Sequence, residues 1–470
     1  MKELTISLDA ESKIPLYQQI YQYLKTEIQR RQILPGECLP SSRALSACLQ
    51  VSRSTADMAY GQLVSEGYIE SVPCRGYFVC DLEGMFQLPD PEPVLTNEKA
   101  HEDENYPWDF DVNGIDEKGF PYNQWKKISR EVLQEGPSLF ELGNPQGEAG
   151  LRGALASYLH HARGVGCTPE QIVVGAGNDY LLMLLRVILG DSRQIAMENP
   201  TYKSAYLCFS HLGYRVLGIG MDEYGMRMDE LEKSEADTAY VMPSHQFPMG
   251  NVMPLKRRMQ LLSWAAQRES RYILEDDYDS EFRYRGKPIP ALQGYDSKER
   301  VIYLGTFSKS IAPAIRISYM VLPRPLLKAY EEKGRDFSVT VSKADQKIIE
   351  MFIRKGYYER HLNRMRALYK NKHDLLMSLL RQMTDTCQIS GENAGLHVVL
   401  RFINGLTEKE AIAAAKAVGV RVYGISEYDT SGFERQKSDR IIMGYGAMTE
   451  EAIREGTERL KKAWKRNTAV

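Results

Sequence analysis

A lysine with two hydroxyls before it and an arginine after it forms the stretch of this sequence best suited to chemistry. Thr306, Ser308, Lys309 and Arg316 follow residues 301–304, an apolar run that predicts a buried strand. Because ligands of α/β folds bind beyond the carboxyl ends of strands, these side chains are expected at a binding edge. Hydroxyls and a guanidinium suit a phosphate, and a lysine amine suits an aldehyde. Together they predict an anchor for pyridoxal phosphate, although alone they also fit an ordinary basic loop.

A second apolar run ends in carboxylates and a phenol, roughly 30 residues upstream, which is the spacing of a βαβ unit. Residues 272–274 lead into Glu275, Asp276, Asp277 and Tyr278. Pyridoxal phosphate needs a carboxylate beside its ring nitrogen, because a protonated ring is the better electron sink. We predict Asp276 in this role and Tyr278 near the phenolic oxygen, with Glu275 or Asp277 as alternatives to Asp276. An ordinary acidic strand end is the other interpretation, but crowded carboxylates would then need a cationic partner.

These two segments resemble those of fold-type I aminotransferases, and residues 243–250, Pro-Ser-His-Gln-Phe-Pro-Met-Gly, resemble a signature of MocR/GabR-type regulators. The resemblance covers nearly the whole chain, from about Pro15 to about Lys465. It implies an α/β protein with an N-terminal winged helix-turn-helix of GntR type and fold-type I aminotransferase-like large and small domains. It also implies pyridoxal phosphate held as an internal aldimine on Lys309. A head-to-tail homodimer, with each head over the other subunit's large domain, is the expected assembly.

The resemblance implies further contacts to the cofactor. Tyr202 would stack on the pyridine face. Ala176 and Gly177, in a small-residue turn between a predicted strand and helix, would cradle the phosphate on backbone amides. His245 would either polarise the region of the cofactor phenol or hold its own loop in shape. Phe247 stands where ordinary aminotransferases have an asparagine, which favours altered catalysis.

Ordinary aminotransferases bind the substrate carboxylate through an arginine placed just before the last predicted strand, residues 441–445. Ile442 occupies that position here. Arg440 or Arg435 is therefore expected to bind the carboxylate of an effector.

Length and composition limit the class of protein. A chain of 470 residues is too long for one core, so two or three domains are expected. The net charge of −2 gives no general attraction to nucleic acid, so any basic surface must be local. Seven scattered cysteines predict reduced thiols and no metal site. Because the sequence has neither a bilayer-spanning apolar run nor a signal-peptide pattern, it predicts a cytoplasmic protein without a membrane partner.

The first 80 residues have the pattern of a winged helix-turn-helix. One helix is predicted after Pro15, a second is capped within residues 40–42, and a third is capped by Ser52, before a hairpin around residues 73–76. The gap between the second and third helices suits a DNA-binding turn, although a small helical interaction domain is an alternative. Asp57 would repel a phosphate unless it pairs with a neighbouring arginine. The predicted DNA contacts are Arg43, Ser52, Arg53, Ser54, Thr55, Arg75 and Gly76.

Composition also predicts the domain boundaries. Residues 81–106 are proline-rich and acidic, which predicts an extended linker. It would join a DNA-binding domain of residues 1–80 to an aminotransferase-like domain of residues 107–466. Within the latter, a long helical stretch over residues 325–382 is expected to lead into a small subdomain at about residues 386–465.

These features predict a transcription regulator that binds double-stranded promoter DNA and senses a small amino compound through pyridoxal phosphate. A working aminotransferase with an accessory DNA-binding head is the alternative. A third interpretation is a DNA-binding protein without a cofactor. The combination of Lys309, Asp276 and Arg316 disfavours this last interpretation.

Overall fold

The computed structural model describes residues 14–81, 106–284, 289–430 and 438–465, together with residues 6, 8, 9 and 12. The chain divides between residues 103 and 104 into two compact units. This division lies inside the predicted linker, of which only residues 81 and 106, at its two ends, are among the described residues.

The first unit, called the head here, has three helices and a three-stranded sheet within residues 14–81. Its elements are α1 (Leu16–Gln29), β1 (Cys38–Leu39), α2 (Ser42–Leu49), α3 (Arg53–Ser65), β2 (Ile69–Val72) and β3 (Gly76–Val79). The strands are ordered β1-β3-β2, and both pairs are antiparallel. The predicted winged helix-turn-helix is confirmed, with β1 as an additional strand that the sequence pattern did not indicate.

The positions of α2 and α3 are fixed by side-chain caps. Ser41 Oγ accepts a hydrogen bond from the Ala44 N–H at 3.2 Å, and Ser52 Oγ accepts one from the Thr55 N–H at 3.1 Å. Such caps satisfy backbone donors that the first helical turn leaves free. Helix α3 packs its buried face, which includes Tyr60, into the common core of the head. Its amino end is therefore held in a defined position on the surface.

The second unit, called the effector unit here, alternates strands and helices. Its elements up to the last strand of the large sheet are β4 (Trp108–Asp109), α4 (Tyr122–Leu133), α5 (Ala149–Arg163), β5 (Ile172–Gly175), α6 (Asn178–Leu189), β6 (Gln194–Asn199), α7 (Lys203–His211), β7 (Arg215–Asp222), β8 (Gly225–Met226), α8 (Met228–Lys233), β9 (Thr238–Val241), α9 (Leu255–Ala266), β10 (Tyr272–Asp277), β11 (Val301–Thr306) and β12 (Ser318–Val321). The later elements are α10 (Arg324–Ala329), α11 (Lys343–Arg354), α12 (Tyr357–Leu380), β13 (Cys387–Ser390), β14 (His397–Phe402), α13 (Glu408–Ala417), β15 (Val420–Arg421), β16 (Tyr423–Gly424), β17 (Arg440–Gly444) and α14 (Glu450–Ala463).

The large sheet has eight strands in the order β5-β12-β11-β10-β9-β6-β7-β8. The five strands from β11 to β7 run parallel, whereas β12 is antiparallel to both of its neighbours. Alternate residues of a strand face opposite sides, so Ile302 packs with α6 and Tyr303 packs with α5 and α11. Because β10 and β11 are parallel neighbours, the residues at their carboxyl ends meet at one edge of the sheet.

A smaller antiparallel sheet, ordered β13-β14-β17-β16, follows along the chain. Its strands share a core with α12, α13 and α14, represented by Leu400, Met443 and Leu460. Strand β4 pairs in parallel with β15, and Phe110 is buried in the same core. The first residues of the effector unit are therefore attached to its carboxy-terminal part.

The helical stretch expected over residues 325–382 is interrupted. After α10, a π-helical turn spans Tyr330–Gly334, and α11 begins only at Lys343. Gly356, with a φ of 68°, separates α11 from α12. Glycine adopts this backbone conformation without the steric cost that a Cβ would bring, so the chain can change direction there.

Candidate functional site

A cavity of about 240 Å³ lies at the edge where β10 and β11 end. We call it the Lys309 cavity. The residues predicted from the sequence that line it are Tyr202, Asp276, Tyr278, Thr306, Ser308, Lys309 and Arg316. The fold thus brings together the amine, carboxylate, phenols, hydroxyls and guanidinium that three separate segments of the sequence suggested.

Lys309 lies where its amine meets backbone carbonyls. Its Nζ donates hydrogen bonds to the Val112 carbonyl at 3.1 Å and the Asn113 carbonyl at 2.9 Å. Burial lowers the pKa of Lys309 to about 8, and the carboxylates of Asp279 and Asp111 oppose this shift. Near neutral pH a larger fraction of this amine is therefore uncharged than in an exposed lysine. The uncharged amine is the form that attacks an aldehyde.

Asp276 is the carboxylate of the acidic run that reaches the cavity. Its Oδ2 accepts hydrogen bonds from the Tyr240 hydroxyl and, at 3.5 Å, from Asn178 Nδ2. Its Oδ1 is buried and has no hydrogen-bond partner within the described ranges. Burial raises the pKa of Asp276 to about 7, as do Asp277 and Asp279, whereas Tyr240 and Asn178 lower it. A buried oxygen without a partner is costly, so a cationic donor in the cavity would stabilise Asp276.

The two neighbouring carboxylates serve other contacts. Glu275 accepts two backbone N–H groups at 2.7 and 2.8 Å. Asp277 Oδ2 accepts from Arg163 Nε at 2.8 Å and from the Tyr303 hydroxyl at 2.6 Å. Neither carboxylate lines the cavity, because strand alternation points both away from the Asp276 face. Arg163 is the cationic partner that this crowded run requires.

Arg316 and the start of α6 form the part of the site best suited to a phosphate. Arg316 Nη2 donates to Asp179 Oδ2 at 3.2 Å, and Thr306 Oγ1 donates to Ser308 Oγ at 3.1 Å. A Cβ placed on Gly177 would lie 2.3 Å from Arg316 Nη2. Gly177 therefore leaves room for the guanidinium. Hydroxyls, a guanidinium and a helix amino end together favour a bound anion.

Ala176 is placed differently from the other predicted phosphate ligands. Its N–H donates to Thr340 Oγ1 at 3.0 Å, and neither Ala176 nor Gly177 lines the cavity. The Gly177 N–H donates to the Gly175 carbonyl at 2.9 Å, so the structure brings neither of these two amides to the cavity.

His245 is connected to the cavity through two of the residues that line it. Its Nδ1 lies 2.7 Å from Asp279 Oδ2 and 3.0 Å from the Tyr278 hydroxyl. Its ring centre is 4.7 Å from that of His397, and Phe247 packs edge-on against His397 at 5.4 Å. These contacts favour the role of holding the loop in shape, because His245 itself does not line the cavity.

Of the two arginines predicted to bind an effector carboxylate, Arg440 is described by the structure and is not brought to the cavity. Arg440 begins β17 and lies 3.7 Å from Asp439, with a side chain that is 38% exposed. It does not line the cavity. Arg435 lies outside the described residues.

Sequence reasoning did not single out nine other residues that line the cavity, namely Val112, Asn113, Asn178, Asp179, Met242, Asp279, Pro313, Leu396 and His397. Asn178 directly follows the small-residue turn, and Asp279 belongs to the acidic segment, so both carried a local signal. Val112 and Asn113 contribute backbone carbonyls to Lys309. Because every residue has a backbone carbonyl, the residue types at these two positions do not indicate such a contact.

The predicted DNA contacts of the head cluster at the start of α2, the start of α3 and the β2–β3 turn. Ser52 Oγ lies 2.8 Å from Ser54 Oγ and 2.7 Å from Thr55 Oγ1. Arg53 pairs with Asp57 at 3.6 Å, and both side chains are exposed. This pairing removes the expected repulsion by Asp57. Arg43 is the second residue of α2, whereas Arg75 lies over the Phe78 ring and precedes Gly76, whose φ is 111°.

Two features are absent from the parts of the chain that the structure describes. There, no helix is both long and apolar enough to cross a membrane. Within the same ranges, no group of three or more histidine, cysteine, aspartate or glutamate side chains could hold a metal ion.

Two protein-family models match the chain. The family described as bacterial regulatory proteins, gntR family, matches residues 16–79. The family described as aminotransferase class I and II matches residues 109–460. Aminotransferases of this class depend on pyridoxal phosphate.

Relatives match over the whole length. The chain is 40% identical to the uncharacterized HTH-type transcriptional regulator YdeL of Bacillus subtilis, over 98% of this chain and 100% of that protein. It is 30% identical to the probable rhizopine catabolism regulatory protein MocR of Rhizobium meliloti, over 97% of this chain and 95% of that protein. Among solved structures, the multiple substrate aminotransferase of Thermococcus profundus aligns with a TM-score of 0.68 and 28% identity, covering 76% of this chain and 91% of that one.

Proposed function

The chain belongs to the MocR-type family of HTH-type transcriptional regulators, and from this premise we propose that it holds pyridoxal phosphate on Lys309 and senses a small amino compound there. It combines a winged helix-turn-helix of the gntR family with a fold-type I aminotransferase-like unit, so both parts of the predicted fold are confirmed. The gntR-family head makes it a DNA-binding regulator.

The proposal depends above all on one observation, which is that Lys309 and Asp276 line the same cavity. Lys309 has an amine whose pKa burial lowers to about 8. Asp276 has a buried oxygen without a hydrogen-bond partner in the described ranges. Pyridoxal phosphate offers an aldehyde to the first group and a basic ring nitrogen to the second.

When bound, pyridoxal phosphate supplies an aldehyde that condenses reversibly with amines. In the proposal, Lys309 provides the resident amine, and Asp276 holds a proton on the ring nitrogen. Tyr278 donates toward the phenolic oxygen, and Tyr202 packs on the ring face. The phosphate would be bound by Arg316, Thr306 and Ser308, together with the amides of the first turn of α6, where Asn178 and Asp179 line the cavity. An effector amine would compete with Lys309 for the same aldehyde.

DNA binding is assigned to the exposed residues of the head. Arg43, Arg53 and Arg75 would contact phosphates and bases, together with Ser52, Ser54, Thr55 and Gly76 around the recognition helix α3. In this proposal residues 1–80 form the DNA-binding domain, residues 81–106 the linker, and residues 107–466 the effector domain with its small subdomain at about 386–465. The DNA and the effector would meet the protein in the cytoplasm.

A homodimer is the proposed assembly, with a head-to-tail arrangement of the subunits. Two large apolar side chains of the effector unit, Phe140 and Leu142, are 81% and 89% exposed in the single chain. Exposed apolar side chains of this kind favour a protein interface. A dimer presents two heads, so it can bind two half-sites whose spacing depends on how the effector units are held.

The effector would act on that spacing. Ligand binding changes a conformational equilibrium only if the ligand binds the two states with different affinity. We therefore expect the effector to change the DNA footprint more than it changes the affinity of one head for one half-site.

A spectral titration tests the proposal. Pyridoxal phosphate added to the protein should produce a visible absorbance band that Lys309→Met lacks, because no other amine lines the cavity among the described residues. A panel of amines should then change the band, and the compound that does so should change the footprint. A wild-type protein with no band would contradict the proposal.

The alternative function is a working aminotransferase with an accessory DNA-binding head. The likeness of the effector unit to the T. profundus aminotransferase favours it. Steady conversion of an amino acid and a keto acid at many turnovers per site would establish this alternative. A response of the band without turnover would favour the sensor.

A further inference from the structure

Tyr240 is a buried phenol that contacts Asp276 without lining the Lys309 cavity. It lies on β9, where it is the register partner of Leu274 on β10. Its hydroxyl hydrogen-bonds Asp276 Oδ2, while Asp276 Oδ1 has no partner within the described residues. The phenol therefore holds one oxygen of the carboxylate and leaves the other for a ligand.

The direction of this hydrogen bond follows from the chemistry of the pair. Burial raises the pKa of Tyr240 well above its usual range, and Asp276 raises it further. The phenol therefore keeps its proton and donates a hydrogen bond to the carboxylate. The second contact of Oδ2, from Asn178 Nδ2, is longer at 3.5 Å, which is at the limit for a hydrogen bond. Tyr240 is thus the principal anchor of Asp276.

An anchor matters because the terminal torsion of an aspartate is soft. Without the phenol, the carboxylate can rotate, and its charge is less stabilised in a buried site. Both effects would weaken its contact with a cation in the cavity.

We propose that Tyr240 is a positioning residue, whose hydroxyl orients Asp276 and keeps it ionised so that the free oxygen can hold a protonated heteroaromatic nitrogen. The inference rests on the proposed function, because it assigns that nitrogen to pyridoxal phosphate. Tyr240 lies on the strand beside the acidic segment, outside the three segments that carry the family resemblance.

The chain offers a matched control. Tyr303 on β11 is also buried, and its hydroxyl donates to Asp277 Oδ2 at 2.6 Å. Asp277 is the next residue of the same strand but does not line the cavity. Tyr240→Phe and Tyr303→Phe therefore each remove one hydroxyl from one buried carboxylate, and only Tyr240→Phe affects the carboxylate that faces the ligand.

The test compares two ligands with each protein. Binding of pyridoxal phosphate, and of its carbon isostere in which C–H replaces the ring nitrogen, is measured by absorbance titration of the full-length chain. Tyr240→Phe should weaken binding of pyridoxal phosphate about tenfold, since hydrogen bonds to charged groups contribute at least this much. It should change binding of the carbon isostere by less than about twofold, because that ligand has no nitrogen for Asp276 to hold. Tyr303→Phe should change neither affinity.

Equal weakening for both ligands would indicate a merely structural role and overturn the inference, as would wild-type affinity of Tyr240→Phe for pyridoxal phosphate. If the wild-type protein binds no pyridoxal phosphate, the proposed function fails and the inference fails with it. Thermal melting checks that each variant is folded. Tyr240→Met, which also lacks the hydroxyl, provides the same comparison if the phenylalanine variant does not fold.

Discussion

The head and the Lys309 cavity present their functional residues in opposite ways. In the head, the predicted contacts lie on local segments, and arginines such as Arg53 are exposed. In the effector unit, the cavity is assembled from residues between Val112 and His397, far apart in sequence. The predicted DNA-binding surface depends on helix caps formed within short segments and on the exposure of its arginines. The cavity depends on the strand order of the large sheet, so its residues are coupled to the stability of the fold.

Two ion pairs, one in each unit, illustrate this difference. Arg53 and Asp57 lie 3.6 Å apart with side chains 73% and 46% exposed. Arg163 and Asp277 lie 2.8 Å apart with side chains 6% and 1% exposed. Water screens the first pair, so its net contribution to folding is small. Loss of one partner of the second pair would leave a buried charge uncompensated.

The largest expected effect is therefore that of Arg163→Ala, which should lower the free energy of unfolding by about 3–5 kcal/mol. Lys328→Ala is the control in the same unit, because Lys328 pairs with Glu332 at 3.7 Å on the surface, and it should cost less than about 0.5 kcal/mol. All four tryptophans lie in the effector unit, so urea unfolding followed by tryptophan fluorescence reports on this unit. Similar costs for the two variants would contradict the distinction between buried and exposed pairs.

A second substitution separates backbone strain from the geometry of the site. Gly177 and Gly190 have φ values of 88° and 84°. A Cβ on Gly177 would meet Arg316, whereas one on Gly190 would meet nothing within 4 Å. Either alanine variant should lose about 1–3 kcal/mol of stability, because ψ values of 168° and −178° place both residues in a backbone region that is almost exclusive to glycine.

Only Gly177→Ala should also lose affinity for pyridoxal phosphate, by about tenfold, because the displaced guanidinium can no longer make its charge-assisted hydrogen bonds. Equilibrium titration of the wild type and both variants measures this difference. Weakening by Gly190→Ala to the same extent would mean that strain alone, and not the position of Arg316, controls binding.

The smallest effect on folding is expected in the head. Arg53→Ala should change stability by less than about 0.5 kcal/mol. It should nevertheless lower the slope of log affinity for promoter DNA against log salt by about one, if Arg53 contacts a phosphate. Arg30→Ala, at an exposed position just after α1, is the control and should leave the slope unchanged. The test is a series of gel shifts at several salt concentrations. Equal slopes for the two variants would contradict the placement of α3 on the DNA-binding surface.

Sequence reasoning succeeded where a single segment carries the information. The caps within residues 40–42 and at Ser52 were predicted because capping is local, and Asp276 and Lys309 were predicted to lie near one another because parallel strands end at one edge. The pattern did not distinguish Tyr240 from an ordinary core residue, since its contact with Asp276 depends on strand neighbours. The break at Gly356 was missed for a related reason. The backbone angle φ of a single glycine within a helical pattern cannot be predicted from the sequence.

Borohydride reduction of the protein in the presence of pyridoxal phosphate, followed by peptide mapping, tests the central claim most directly. Reduction converts the bond between the aldehyde and its amine into a stable one, so the labelled lysine is identified by mass. The account predicts a pyridoxyl group on Lys309, whose pKa burial lowers to about 8, with little label on the exposed lysines. Predominant labelling of another lysine, or no label above that of denatured protein, would contradict it.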